Sequence, residues 1–133
     1  MVGDCVEQDN QRSAETEAIT GLTFLDFAGG LERCMGDRSF YLELLASFAE
    51  DNQLADLQRL YLAKDWQEYR IRVHALKSSS AYIGADRLSA WAKRMELAVG
   101  AQDMDYVQRN HGAFMEYLEN ILKQLAGAGL WEK

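Results

Sequence analysis

The sequence contains no proline in 133 residues. Proline breaks helix interiors, so nothing of that kind limits helix length anywhere along the chain. Cysteine is scarce: Cys5 and Cys34 form neither a disulfide framework nor a zinc pattern, and no metal site is expected. That usage fits a reduced, cytoplasmic protein. No apolar run approaches the roughly 20 residues a membrane span requires. Residues 1–20 lack a basic start followed by an apolar stretch, so no signal peptide is evident. Basic residues are in deficit, with 14 Lys and Arg against 21 Asp and Glu and a formal net charge of −7. Such a balance argues against nucleic acid as the main partner and against anionic membrane surfaces. There is no Gly-x-x-x-x-Gly-Lys loop, so no nucleotide site is expected.

Apolar residues make up 48% of the chain, enough for one ordinary core in one domain. Residues 1–20 are polar and aperiodic and read as a flexible N-terminal arm, leaving 21–133 as the folded domain. From Leu22 the pattern is helical. Asp26 reads as the N-cap of a short helix over 27–35, with Leu31 and Met35 inward and with Gly29 and Gly30 weakening it. Gly36-Asp37 ends that helix and caps a second one over 38–63, where Tyr41, Leu44, Leu45, Phe48 and Ala55 recur at helical spacing. Lys64-Asp65 breaks it. A third helix covers 66–83 and stops at Gly84; a fourth covers 86–99, with Leu88, Trp91, Met95 and Ala98 inward; a fifth covers 104–125. No strand signal appears. Short links make successive helices antiparallel. The expected fold is therefore all-α, an up-and-down four-helix bundle with a short additional N-terminal helix.

Two histidines are present, and periodicity separates them. The third helix carries the stripe Trp66, Tyr69, Val73, Leu76, Ser80 and Ile83. At about 100° per residue, His74 lies roughly 130° from the centre of that stripe and should face solvent. His111 falls between Val107 and Phe114 on an inward stripe and reads as a half-buried structural residue. An exposed histidine has no packing role, so His74 is either functional or a chance surface residue. Its face holds Gln67, Arg70, Ile71, Lys77, Ser78 and Ala81. Arg70 and Lys77 lie one turn to either side and can bring positive charge to an anion attached at His74. The small residues Ser78, Ser79, Ser80 and Ala81 leave room for another protein's loop. Ile71 and Tyr82 flank the patch with apolar surface.

The segment His74-Ala75-Leu76-Lys77-Ser78-Ser79-Ser80-Ala81-Tyr82-Ile83-Gly84-Ala85 resembles the signature of histidine-containing phosphotransfer (HPt) domains. That family reads His-x-Leu-Lys-Gly-small-small, then Ile/Leu-Gly-Ala. Outside the segment, Gly36-Asp37 with Leu44, Leu45 and Phe48, then Trp66, and then Leu88, Ala92 and Met95-Glu96 resemble its flanking helices, so that the likeness covers about residues 24–126. Ser78 departs from the pattern, standing where many members have glycine. The resemblance implies that His74 accepts a phosphoryl group on Nε2 from an aspartyl phosphate and that Lys77 neutralises the phosphoryl oxygens. The Ser78 hydroxyl can hydrogen-bond the same group. Gln67, Arg70, Ile71, Ala81 and Tyr82 would dock the partner, and Gly84 is a structural element of the motif. The implied partners are a response-regulator receiver domain, which would bring Mg²⁺, and a hybrid sensor histidine kinase. The chain itself would bind no cofactor and act as a monomeric carrier rather than as an enzyme.

Two other readings compete. In the phosphoacceptor module of a sensor kinase an acidic residue usually follows the histidine, and here that residue is Ala75. A non-catalytic module that binds receiver domains would not need both His74 and Lys77. Other carboxylates on helix faces, Glu96 among them, read as solvated groups or weak ion pairs.

Overall fold

The computed structural model describes Leu22 and residues 24–130. The arm expected over residues 1–20 lies outside the described residues. Among the described residues six helices follow one another: α1 (Phe27–Arg33), α2 (Arg38–Glu50), α3 (Leu54–Ala63), α4 (Trp66–Ile83), α5 (Asp86–Gly100) and α6 (Met104–Gly127). No strand occurs among the described residues. The bundle is all-helical. α4 pairs most extensively with α5, which packs in turn on α6; α2 and α3 both pack on α4 and α6, and α1 packs on α4 and α2.

Local chemistry sets the helix starts. The side chains of Asp26, Asp37, Asp65 and Asp103 each accept a hydrogen bond from a backbone N–H three residues on, at 3.1–3.3 Å. α4 buries Tyr69, Val73, Leu76, Ser80 and Ile83, the stripe read from its periodicity, while Trp66 is half-buried.

The structure departs from the expected layout at two places. The second helix is broken in two. Asp51 ends α2, and the Asn52 side chain then donates to the Ala49 carbonyl at 2.8 Å and accepts from the Leu54 N–H at 3.2 Å. These local bonds replace the helical ladder. The inward stripe restarts at Leu57 and Leu60, and Ala55, expected inward, is exposed. In addition, α1 stops at Arg33 and Cys34 is buried in place of Met35. Met35 takes a left-handed conformation (φ 56°) and points outward.

The C-terminal end of α4 is fixed by its neighbours. Arg33 Nη1 donates to the Ala81 carbonyl and the Tyr41 hydroxyl to the Ile83 carbonyl, each at 2.6 Å; the Asp26 N–H donates to the Gly84 carbonyl at 2.8 Å. Three carbonyls that a helix end leaves open are thus satisfied. Two glycines permit this approach. Gly84 caps α4 at φ 88°, and a Cβ there would stand 2.5 Å from the Asp26 carbonyl oxygen. A Cβ on Gly30 would stand 2.5 Å from the Tyr41 ring. Gly30, read from sequence as a weakness of α1, is what lets α1 lie against α2.

His111 is more enclosed than the half-buried placement expected of it. Its ring stacks on Tyr61 with centroids 3.7 Å apart, and Nδ1 is hydrogen-bonded with the Tyr69 hydroxyl at 2.8 Å. Burial lowers its pKa from 6.5 to about 4. Between those values the unfolded chain takes up a proton that the folded chain refuses. Stability is therefore full above pH 6.5 and falls as the pH drops towards 4, by up to about 3 kcal/mol from this group. Glu96, whose carboxyl is held below its usual 4.5, adds a further loss only beneath that value. Urea denaturation from pH 7 to pH 4.5 should show the decline. His111→Phe should keep the stack and flatten the slope, even though its absolute stability is lower because Tyr69 loses its partner. An unflattened slope would show that His111 is not the group responsible.

Candidate functional site

His74 lies on the outer face of α4, in its third turn, with 59% of its side chain exposed. Val73 and Leu76 anchor the helix beneath it in the core. The tight Gly84-Ala85 turn returns the chain antiparallel as α5, which brings Glu96 alongside. Glu96 Oε1 lies 2.7 Å from His74 Nδ1, and Oε2 accepts from Lys77 Nζ at 2.8 Å. One carboxylate therefore bridges the histidine and the lysine. Glu96 is 15% exposed and Lys77 28%, so the bridge sits at the edge of the core rather than in open solvent.

The electrostatics fix the proton. The hydrogen bond from Lys77 holds the Glu96 carboxyl below its ordinary range, with His74 adding to the effect and partial burial opposing it. An ionised carboxylate can only accept. Nδ1 must then carry a proton and donate it to Glu96, so that in the neutral form of the ring the lone pair lies on Nε2, open to a visitor. The arrangement presents an oriented nitrogen nucleophile with an ammonium group one helical turn away.

Two grooves flank α4. An open groove of about 930 Å³ is lined by His74 and Glu96 together with Gln67, Arg70 and Ile71, and Trp66, Val99 and Met104 also line it. Arg70 lies across Gly100, where a Cβ would stand 3.1 Å from the guanidinium carbon. A second groove of about 430 Å³ holds Ser78 and Tyr82 with Ala75 and Ser79, facing Leu44, Phe48 and the α2–α3 junction at Asp51. Of the expected docking residues, Gln67, Arg70 and Ile71 line the first groove and Tyr82 the second, while Ala81 lines neither. Ile71 and Tyr82 are about half exposed. Ala81 is half-buried and its carbonyl is taken by Arg33. The Ser78 hydroxyl turns back to the His74 carbonyl at 3.4 Å, away from any ligand.

Sequence reasoning missed Glu96, which it read as a surface carboxylate. A signal was present. His74 lies ten residues before Gly84 and Glu96 eleven after Ala85, so a tight antiparallel turn sets them opposite each other. Among the described residues no group of three or more His, Cys, Asp or Glu gathers as a metal site, and no helix is long and apolar enough to cross a membrane.

Comparison with curated proteins and with solved structures gives no match. The family model of the Hpt domain matches residues 41–128, a span that runs from the first buried tyrosine of α2 to the end of α6 and includes both grooves. Fold and family model agree, and the chain belongs to the Hpt domain family, whose members carry out histidine phosphotransfer in two-component signalling.

Proposed function

We propose that the chain is a phosphorelay intermediate that accepts a phosphoryl group on His74 from an aspartate of a response-regulator receiver domain and can return it. The observation that carries this reading is the pairing of Nδ1 with Glu96, which orients an exposed imidazole and leaves Nε2 unengaged. In the step, the Nε2 lone pair forms a bond to phosphorus. The bond from phosphorus to the aspartyl oxygen breaks, and its electron pair leaves with the carboxylate. Phosphoryl transfer of this kind depends on positioning and charge neutralisation more than on covalent assistance. Lys77 uses one N–H on Glu96 and has others for the phosphoryl oxygens. Ser78 can rotate from the weak 3.4 Å bond to its own helix towards the same group.

The receiver domain would supply the acidic pocket and Mg²⁺. Gln67, Arg70 and Ile71 in one groove and Tyr82 in the other, with Ala81 two turns beyond His74 on its own face, would receive it. A hybrid sensor histidine kinase is the expected source of phosphate, and the chain would act as a cytoplasmic monomer without an ATP site. The test is incubation with a panel of phosphorylated receiver domains, followed by mapping of the modified residue. Phosphate on His74 is expected. Modification elsewhere, or no acceptance from any receiver, would contradict the proposal.

A further inference from the structure

We infer that Glu96 keeps the Nδ1 proton on the His74 ring after phosphorylation as well as before, so that the ring holds its phosphoryl group as a protonated phosphoimidazolium from which the group leaves easily. This rests on His74 being the phosphoacceptor.

Before transfer, Nδ1–H donates to Glu96 Oε1 at 2.7 Å. When Nε2 bonds to phosphorus, the ring gains a positive charge and the departing aspartate carries away the electron pair of the broken P–O bond. No proton has moved. The neutral phosphorylated ring would require Nδ1 to lose its proton and present a lone pair to an acceptor-only carboxylate, which is a repulsive contact. The positively charged ring instead keeps the hydrogen bond and gains an ion pair.

The other charged groups near the ring do not reverse this. On α4, Lys77 is drawn to the far oxygen of the same carboxylate, and Arg70 lies over Gly100 at the end of α5. Glu96 is the one charged residue that α5 contributes to the lining of the groove, and Asp51 at the α2–α3 junction lines the groove on the other side of α4. Lys77 also keeps Glu96 ionised, so the acceptor persists well into the acidic range.

The consequence concerns the leaving group. From the protonated ring, neutral imidazole departs. From the unprotonated ring, an imidazolide anion would have to depart, which is far harder. Glu96 therefore favours a short-lived, easily reversed phosphohistidine at neutral and mildly alkaline pH. A glutamine at this position can turn its amide N–H towards a bare Nδ1 and so tolerates the unprotonated ring.

The experiment needs no partner protein. Wild type and Glu96→Gln are phosphorylated with phosphoramidate, freed of reagent, and followed by ³¹P NMR from pH 5 to pH 9. Removing a carboxylate in direct contact should lower the inflection of the dephosphorylation rate by about one pH unit, which makes Glu96→Gln about tenfold slower at pH 8. The two curves should meet near pH 5. Phosphate on His74 with coincident profiles would overturn this inference and leave the proposed function standing. Failure of both proteins to be modified at His74, by this reagent and by phosphorylated receivers, would overturn both.

Discussion

His74→Gln is expected to take no phosphoryl group from a phosphorylated receiver domain while melting within about 1 kcal/mol of wild type. The two halves of this expectation have separate causes. The side chain is 59% exposed and its one polar partner among the described residues is Glu96, so the core does not depend on it. Glutamine is polar and of similar reach but has no nucleophilic nitrogen, because its amide lone pair is delocalised. The second histidine cannot take over. His111 is 7% exposed, stacked on Tyr61 and bonded to Tyr69, with no path for an acyl phosphate. Labelling of the variant at the wild-type rate would place the acceptor elsewhere.

Lys77→Ala should slow transfer by about a hundredfold, the scale of losing one positioned donor to a developing anionic group. Two effects combine. The phosphoryl oxygens lose their nearest ammonium group, and Glu96 loses the cation that offsets its charge at 2.8 Å. The phosphoryl group then arrives beside an uncompensated carboxylate. Stability should fall modestly, since the pair is only partly solvated but Glu96 keeps His74 as a partner when the ammonium group is gone. Single-turnover transfer from a phosphorylated receiver, with thermal unfolding alongside, separates the two quantities. A rate within about threefold of wild type would mean that Lys77 does not neutralise the phosphoryl group.

The histidine helix was the most legible part of the chain. Its stripe from Tyr69 to Ile83 has unbroken helical spacing and ends in a glycine, so both the buried face and the outward direction of His74 followed from periodicity. The caps Asp26 and Asp37 were legible for the same reason, since each acts on its own next turn, whereas Asp65 and Asp103 were not singled out as caps. What escaped depended on contacts distant in sequence or on competition between local bonds. Glu96 gains its importance from the turn at Gly84-Ala85, across a separation of 22 residues. Gly30 looked like a helix defect because the Tyr41 ring that needs the space belongs to another helix. The break at Asn52 was hidden because apolar residues continue at helical spacing on both sides, and the hydrogen bonds of one side chain decided the outcome. The site itself was half visible: His74 and Lys77 lie on one helix, whereas the carboxylate that bridges them comes from the next.

The most direct test is the state of the two nitrogens of the His74 ring. In ¹⁵N-labelled protein, long-range ¹H–¹⁵N spectra of the free chain should show a protonated Nδ1 and a bare Nε2, and after phosphorylation the ³¹P coupling should appear on Nε2. A free ring protonated on Nε2 alone, or phosphorus attached to Nδ1, would contradict the account.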